Sequence, residues 1–207
     1  ALFPGLGDGT IDFMVGLSRD VFASWVVDHS SVEGLYEDYD TANKTVDHVT
    51  VDRNLPLTFW RSVGHSYTSL AKEGMVDELA EKVGMDPVQF RVNNTQNNPR
   101  LNNVIKVGQQ QMKKMQPAVG RYLGFASHHS FSTDVAEIAE VSVEGNEIRV
   151  HKVTCIVDCG IAVNPDIVRG QMEGAVMFGL TAALYGDLDL EQGAIKQSNF
   201  HDYPILR

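Results

Sequence analysis

A chain of 207 residues, 43% hydrophobic and 21% charged, has the make-up of a folded protein of one large domain or two small ones. A formal net charge of −10 argues against nucleic acid and anionic membrane surfaces as partners, because both repel an acidic surface. No run of about 18 apolar residues occurs, so nothing reads as a membrane-spanning helix.

Taken in order, the first 25 residues are Gly-rich and then alternate weakly, with Ile11, Phe13 and Val15 on one side. They predict a short strand and then a helix over Arg19 to Val27. Ser30-Ser31-Val32-Glu33 has the form of a capping box, and the Asp/Tyr-rich run Glu37 to Asp40 breaks any long helix. Val46, His48 and Val49 to Val51 predict a strand leading into Leu55-Pro56-Leu57. Phe59-Trp60-Arg61-Ser62-Val63-Gly64-His65-Ser66 is a loop entering a helix with a Ser cap.

Tyr67 to Val83 carries Leu70, Ala71, Met75, Val76, Leu79, Ala80 and Val83 as a broad apolar stripe, and Gly84 stops it. Asp86-Pro87 caps and starts a second helix to about Asn93. Leu101, Val104, Ile105, Gly108, Met112 and Met115 mark a third, ended by Pro117 and Gly120. From Tyr122 the period changes to two: Val135, Ala139, Val141 and Val143 alternate with polar residues. Glu144-Gly145-Asn146 turns the chain, and Ile148 and Val150 return. A phase slip near His151-Lys152 predicts a bulge.

Val153 to Val157 is apolar and β-branched enough for a buried strand, and Asn164-Pro165 then opens a helix. Ile167, Val168, Gln171, Ala175, Phe178 and Ala182 recur there at helical spacing. Gly170, Gly174 and Gly179 weaken it by about 1 kcal/mol each against Ala, which predicts close approach of another backbone. The helix therefore reads as scaffold, packed in the core. Gln192-Gly193 predicts a last hairpin. The fold class is α+β, with a helical first half and an antiparallel sheet with a core helix in the second. Residues 1–120, including the F-W-R loop, form one region and 121–207 the other, or both form one continuous domain.

Chemistry-bearing residues are few. Cys155 and Cys159 on one strand would stand about 13 Å apart, too far for a disulfide, and they lack the ligand sets of zinc or iron–sulfur sites. They read as buried structural thiols. Gly64-His65-Ser66 lacks the second Gly of a nucleophile elbow. His128-His129 is no metal pair, because strand neighbours face opposite sides. Glu137, Glu140, Glu144 and Glu147 read as a solvated face. No catalytic and no metal-binding residue is assigned. Phe59-Trp60-Arg61 is the exception to these structural readings. It lies just ahead of a helix N-terminus, where unpaired N–H groups favour an anion or an oxo group. Arg61 adds charge and Trp60 a flat apolar wall; alternatively, Phe59 and Trp60 only plug the base of the helix.

Several motifs occur in one order: S-V-E-G-L, F-W-R-S-V-G-H-S, D-P-V-Q-F-R, V-A-E-I-A-E-V-S-V, V-D-C-G-I-A-V-N-P, Q-M-E-G-A-V-M-F-G-L and Q-S-N-F-H-D-Y-P. From about Ser31 to Arg207 the chain resembles large subunits of the molybdenum hydroxylases, the xanthine dehydrogenase and aldehyde oxidase family, in its isoquinoline 1-oxidoreductase branch. The resemblance implies that the F-W-R segment lies beside the molybdenum, with Trp60, Arg61, Ser62 and Val63 as cofactor-binding residues. It implies molybdopterin cytosine dinucleotide with molybdenum in the parent enzyme. The implied partners are the rest of the large subunit and an iron–sulfur small subunit. The implied reaction is hydroxylation of an N-heteroaromatic or aldehyde carbon with oxygen from water.

The family's G-V-G-E-P motif with its catalytic glutamate, and its Gly-Gln-Gly-type pterin-binding segments, have no counterpart here, nor do residues 1–30. The expectation is a part of a large subunit that supplies scaffold and one wall of the site. Isolated, it should be inactive, hold no cofactor and form a homo-oligomer. The alternative is a stand-alone non-catalytic interaction or structural module.

Overall fold

The computed structural model describes residues 29–49, 51 and 60–206. The strand expected at 11–15, the helix at Arg19–Val27, the Leu55-Pro56-Leu57 segment and Phe59 lie outside the described residues. Within them the order is four α-helices and five strands: α1 (His65–Lys82), α2 (Pro87–Asn93), α3 (Pro99–Met112), β1 (Arg121–Ser130), β2 (Thr133–Glu144), β3 (Glu147–Asp158), α4 (Pro165–Tyr185), β4 (Leu190–Glu191) and β5 (Ala194–Ile195). This is the α+β class expected.

Local signals set most of these boundaries. Asp86 accepts from Gln89 N at 2.8 Å and Asn98 from Leu101 N at 3.2 Å, each with Pro in the first turn that follows. Gly84 closes the end of α1 with a φ of +66°. Two expectations fail nearer the start. Ser30–Glu33 do not open an α-helix; a short 3-10 helix spans His29–Val32. Residues 46–49 and 51 form no strand, for Val49 and Val51 stand 78% and 64% exposed with no neighbouring strand to pair them among the described residues.

β1, β2 and β3 form an antiparallel sheet in that order. Glu144 pairs with Glu147 across Gly145-Asn146, and Gly145 supplies the positive φ (+67°) that such a turn needs. The predicted bulge is real: Lys152 faces Glu140 and Val150 faces Val141, so His151 is the extra residue. Gln192-Gly193 turns the short β4–β5 hairpin.

Helices α2 and α3 cover one face of the sheet. Val88, Val92, Leu101, Val104 and Ile105 pack there against Phe125, Ala136 and Ile138. At Gly108 the helix lies close to the sheet: an added Cβ would meet the Phe125 ring at 2.7 Å. The buried phase of β2 is thus Asp134, Ala136 and Ile138, while Val135, Ala139 and Val141 are half-buried on the opposite face and Val143 is exposed. Helix α1 also turns an unexpected side inward. Its buried residues are His65, Thr68, Lys72, Glu73, Val76 and Ala80, leaving Leu70, Met75, Leu79 and Val83 exposed.

Helix α4 forms as predicted but is not a core helix. Asn164 caps it, accepting from Asp166 N (3.0 Å) and Ile167 N (3.2 Å). None of its residues is fully buried, and a Cβ on Gly170, Gly174 or Gly179 would meet nothing within 4 Å. Among the described residues no element stands against the glycine face, and an open groove of about 600 Å³ separates α4 from β3. Gly170 therefore keeps only its cost in helix propensity. Gly170→Ala should stabilise the chain by about 1 kcal/mol, seen as a raised urea midpoint. A loss of stability would mean that something covers this face.

Burial also revises the carboxylate row and the thiols. Glu137 is half-buried among Val135, Ala139 and Cys155, and burial raises its carboxyl above the ordinary value. Cys155 and Cys159 are free and half-buried rather than buried. Burial, and then Glu137, pushes the Cys155 thiol up to about 12, where it is inert.

Candidate cofactor-binding site

The segment from Trp60 to Gly64 folds as a tight turn into α1. Val63 N donates to Trp60 O at 3.0 Å, and Ser62 and Val63 both take left-handed backbone, with φ of 70° and 47°. Two consecutive non-glycine residues there are unusual. A β-branched one is an outlier costing about 1–3 kcal/mol, the kind of strain found at ligand clamps. The expected Ser cap is absent. Gly64 is the N-cap residue, no side chain caps the helix, and Ser66 Oγ instead donates back to Val63 O at 2.8 Å. The start of α1 is an uncapped N-terminus with its positive dipole end.

Trp60, 51% exposed, lays its ring 5.4 Å from that of Phe178 on α4. The Arg61 guanidinium stacks over the same Phe178 ring, 4.6 Å from its centroid. Gly174, Met177, Tyr203 and Leu206 complete a depression of about 340 Å³ around this pair. The last segment is held by Leu206 N, which donates to Thr181 Oγ1 at 3.1 Å. Upstream, Asp202 accepts from Asn199 N and Ser198 N, and those bonds hold its carboxyl below the usual range. Three stretches far apart in sequence, Trp60-Arg61, Q-M-E-G-A-V-M-F-G-L and the Y-P-I-L segment, therefore meet at one place.

Trp60 and Arg61 face this depression, Ser62 is exposed at the tip of the turn, and half-buried Val63 joins it to the helix. Sequence reasoning missed Phe178, which reads only as one apolar position of a helix. It also missed a polar network beside the start of α1. There, buried Lys72 forms an ion pair with buried Asp38, donates to Gly34 O at 2.8 Å and lies 2.9 Å from His128 Nδ1. His128 Nε2 is 2.8 Å from His65 Nδ1, at the first residue of α1. Burial pushes the Asp38 carboxyl up, but His128 and Lys72 outweigh it and hold the group below its ordinary value. His129 points the other way, to Asp134 at 2.8 Å, so the two histidines do face opposite sides. No group of three metal-ligating side chains occurs among the described residues.

Comparison with known proteins places the chain in a family. Residues 67–207 match the molybdopterin cofactor-binding domain, and residues 14–95 match a second family of the same description. The chain belongs to the molybdopterin cofactor-binding domain family. It is 33% identical over 175 residues to the beta chain of isoquinoline 1-oxidoreductase from Brevundimonas diminuta, a match that covers 82% of this chain and 22% of that protein. It is 29% identical over 181 residues to the B component of nicotinate dehydrogenase from Pseudomonas putida, covering 76% of this chain and 15% of that protein. A membrane-bound aldehyde dehydrogenase (pyrroloquinoline-quinone) of Gluconacetobacter polyoxogenes is 27% identical over 170 residues, 71% of this chain and 22% of that protein. The chain thus spans about a fifth of the length of these relatives. The family match starts at residue 14, so the resemblance reaches further back than the expected Ser31.

The residues at the depression fit a flat, anionic cofactor: the Arg61 guanidinium supplies fixed charge, and Trp60 with Phe178 offers an apolar surface.

Proposed function

We propose that residues 60–63, α4 and the Y-P-I-L segment form one wall of the molybdopterin site in a molybdenum hydroxylase large subunit. The observation that carries this reading is the meeting of Trp60 and Arg61 with Phe178 and with Leu206. In the bound state the molybdenum cofactor, read here as the cytosine dinucleotide form, supplies the redox chemistry that hydroxylates an N-heteroaromatic or aldehyde carbon with oxygen from water. This chain's residues bind and orient: Arg61 holds negative charge, and Trp60 and Phe178 exclude water from one side. The rest of the large subunit and an iron–sulfur small subunit are the proposed partners.

Arg61→Ala in the full-length protein tests the reading. Losing a charge-assisted contact of about 1.5–3 kcal/mol should lower retained molybdenum and pterin at least tenfold under limiting cofactor, with the circular dichroism unchanged. Unchanged molybdenum content would contradict it.

The 207-residue stretch on its own is proposed to hold no molybdenum, to be inactive, and to self-associate. Ile161 (90% exposed), Val163 (92%) and Leu70 (79%) leave apolar surface that seeks cover. Light scattering at about 0.15 M salt, near physiological ionic strength, should give a mass above 22.8 kDa that falls on dilution; a constant 22.8 kDa would refute self-association.

A further inference from the structure

We propose that Gly64 and Thr68 are positioning residues that fix the shape of the 60–63 turn by locking the start of α1 onto the Ser30–Gly34 segment. The proposal rests on the cofactor-wall reading above. Gly64 has ordinary right-handed helical backbone, with φ −59° and ψ −33°, so its dihedrals do not demand glycine. Space does: a Cβ there would sit 2.1 Å from Ser30 O and 3.3 Å from Glu33 N. One turn on, Thr68 is 2% exposed and donates Oγ–H to Glu33 O at 2.5 Å. Tyr67 OH donates to Ser31 O at 3.0 Å, and Lys72 Nζ to Gly34 O at 2.8 Å.

The carbonyls of Ser31, Glu33 and Gly34 are thus each held by a side chain from the first turns of α1. That fixes one end of the turn. Trp60, stacked on Phe178, fixes the other. The residues between must bridge two anchored ends, and they do so through the left-handed pair Ser62 and Val63. Strained backbone persists only where its surroundings over-determine it. The S-V-E-G-L segment and residues 60–66 therefore act as one device, in which the first holds the second in shape.

The test uses the full-length, molybdenum-loaded enzyme and reads the Mo(V) electron paramagnetic resonance signal together with molybdenum content. Thr68→Val keeps the shape and removes the donor, whereas Thr68→Ser keeps the donor. Thr68→Val and Gly64→Ala should each alter the Mo(V) signal. Retained molybdenum should fall about fivefold in Thr68→Val, the equivalent of one hydrogen bond. Thr68→Ser should match the parent. Gly108→Ala is the control, because its Cβ would meet the Phe125 ring at 2.7 Å in the core away from the turn; it should destabilise the fold and leave the signal unchanged. If Gly64→Ala does not accumulate, the Thr68 pair decides. A parent-like signal in Thr68→Val, with an altered one in Arg61→Ala, overturns the positioning role and spares the cofactor wall. Parent-like signals in all variants overturn both. A change in Gly108→Ala equal to that in Thr68→Val reduces the effect to general loosening and also overturns the proposal.

Discussion

Replacing Arg91 by Met is expected to cost the fold about 3–5 kcal/mol, the loss seen when one partner of a buried ion pair is removed. Arg91 is fully buried. Its Nε donates to Glu73 Oε2 at 2.9 Å, and its Nη1 donates to Asp77 at 2.6 Å and to Pro87 O at 3.1 Å. Burial works against the charge, yet Glu73, Tyr39 and Asp77 outweigh it and hold the guanidinium's pKa above its ordinary value. Glu73 also accepts from Tyr39 OH at 2.7 Å and from Ser127 N at 2.8 Å, so one carboxylate ties α1 to β1 and to the 35–40 loop. Without Arg91 that carboxylate stays buried and loses its charged partner. Urea unfolding at neutral pH measures the loss, and adding Glu73→Gln should recover part of it, because the two sites couple directly. A single-mutant loss below about 1 kcal/mol would show that the network contributes little.

Ile138→Ala should cost about 2–5 kcal/mol through lost burial and the cavity left behind. Ile138 is fully buried on the central strand, paired across the sheet with Phe125 and Thr154, and covered by α2 and α3. The urea midpoint should drop with the slope unchanged. Val143→Ala lies on the same strand but 59% exposed, and should change stability by less than about 0.5 kcal/mol. Equal losses at the two positions would contradict the assignment of the buried face.

Asp86-Pro87, Asn164-Pro165, Gly84 and Gly145-Asn146 are legible in the sequence because each acts on its immediate neighbours in the chain. The bulge at His151 is legible for the same reason, as a local break in alternation. The β1–β2 turn is not. Phe131 and Ser132 take positive φ (47° and 62°) with no glycine between the strands, and the pairing of β1 with β2 along its whole length imposes that turn from outside. The inward face of α1 escapes sequence reading because its buried positions carry His65, Lys72 and Glu73, which are satisfied by groups distant in sequence. The glycines of α4 mislead for the opposite reason: helical spacing reports where an apolar stripe lies, and nothing in it reports whether another element stands against that stripe. At the site, the helix terminus and Arg61 are legible. Phe178 becomes part of it only when the fold brings α4 under Trp60.

The central claim is that the 60–63 turn, Phe178 and the Y-P-I-L segment form one wall of the molybdopterin site. A crystal structure of the full-length, cofactor-loaded protein tests it most directly. The molybdenum centre should lie against residues 60–63, on the side where Trp60 and Arg61 meet Phe178 and Leu206. A molybdenum centre in the β3–α4 groove, or on the exposed Leu70–Leu79 side of α1, with residues 60–63 remote from it, would contradict it.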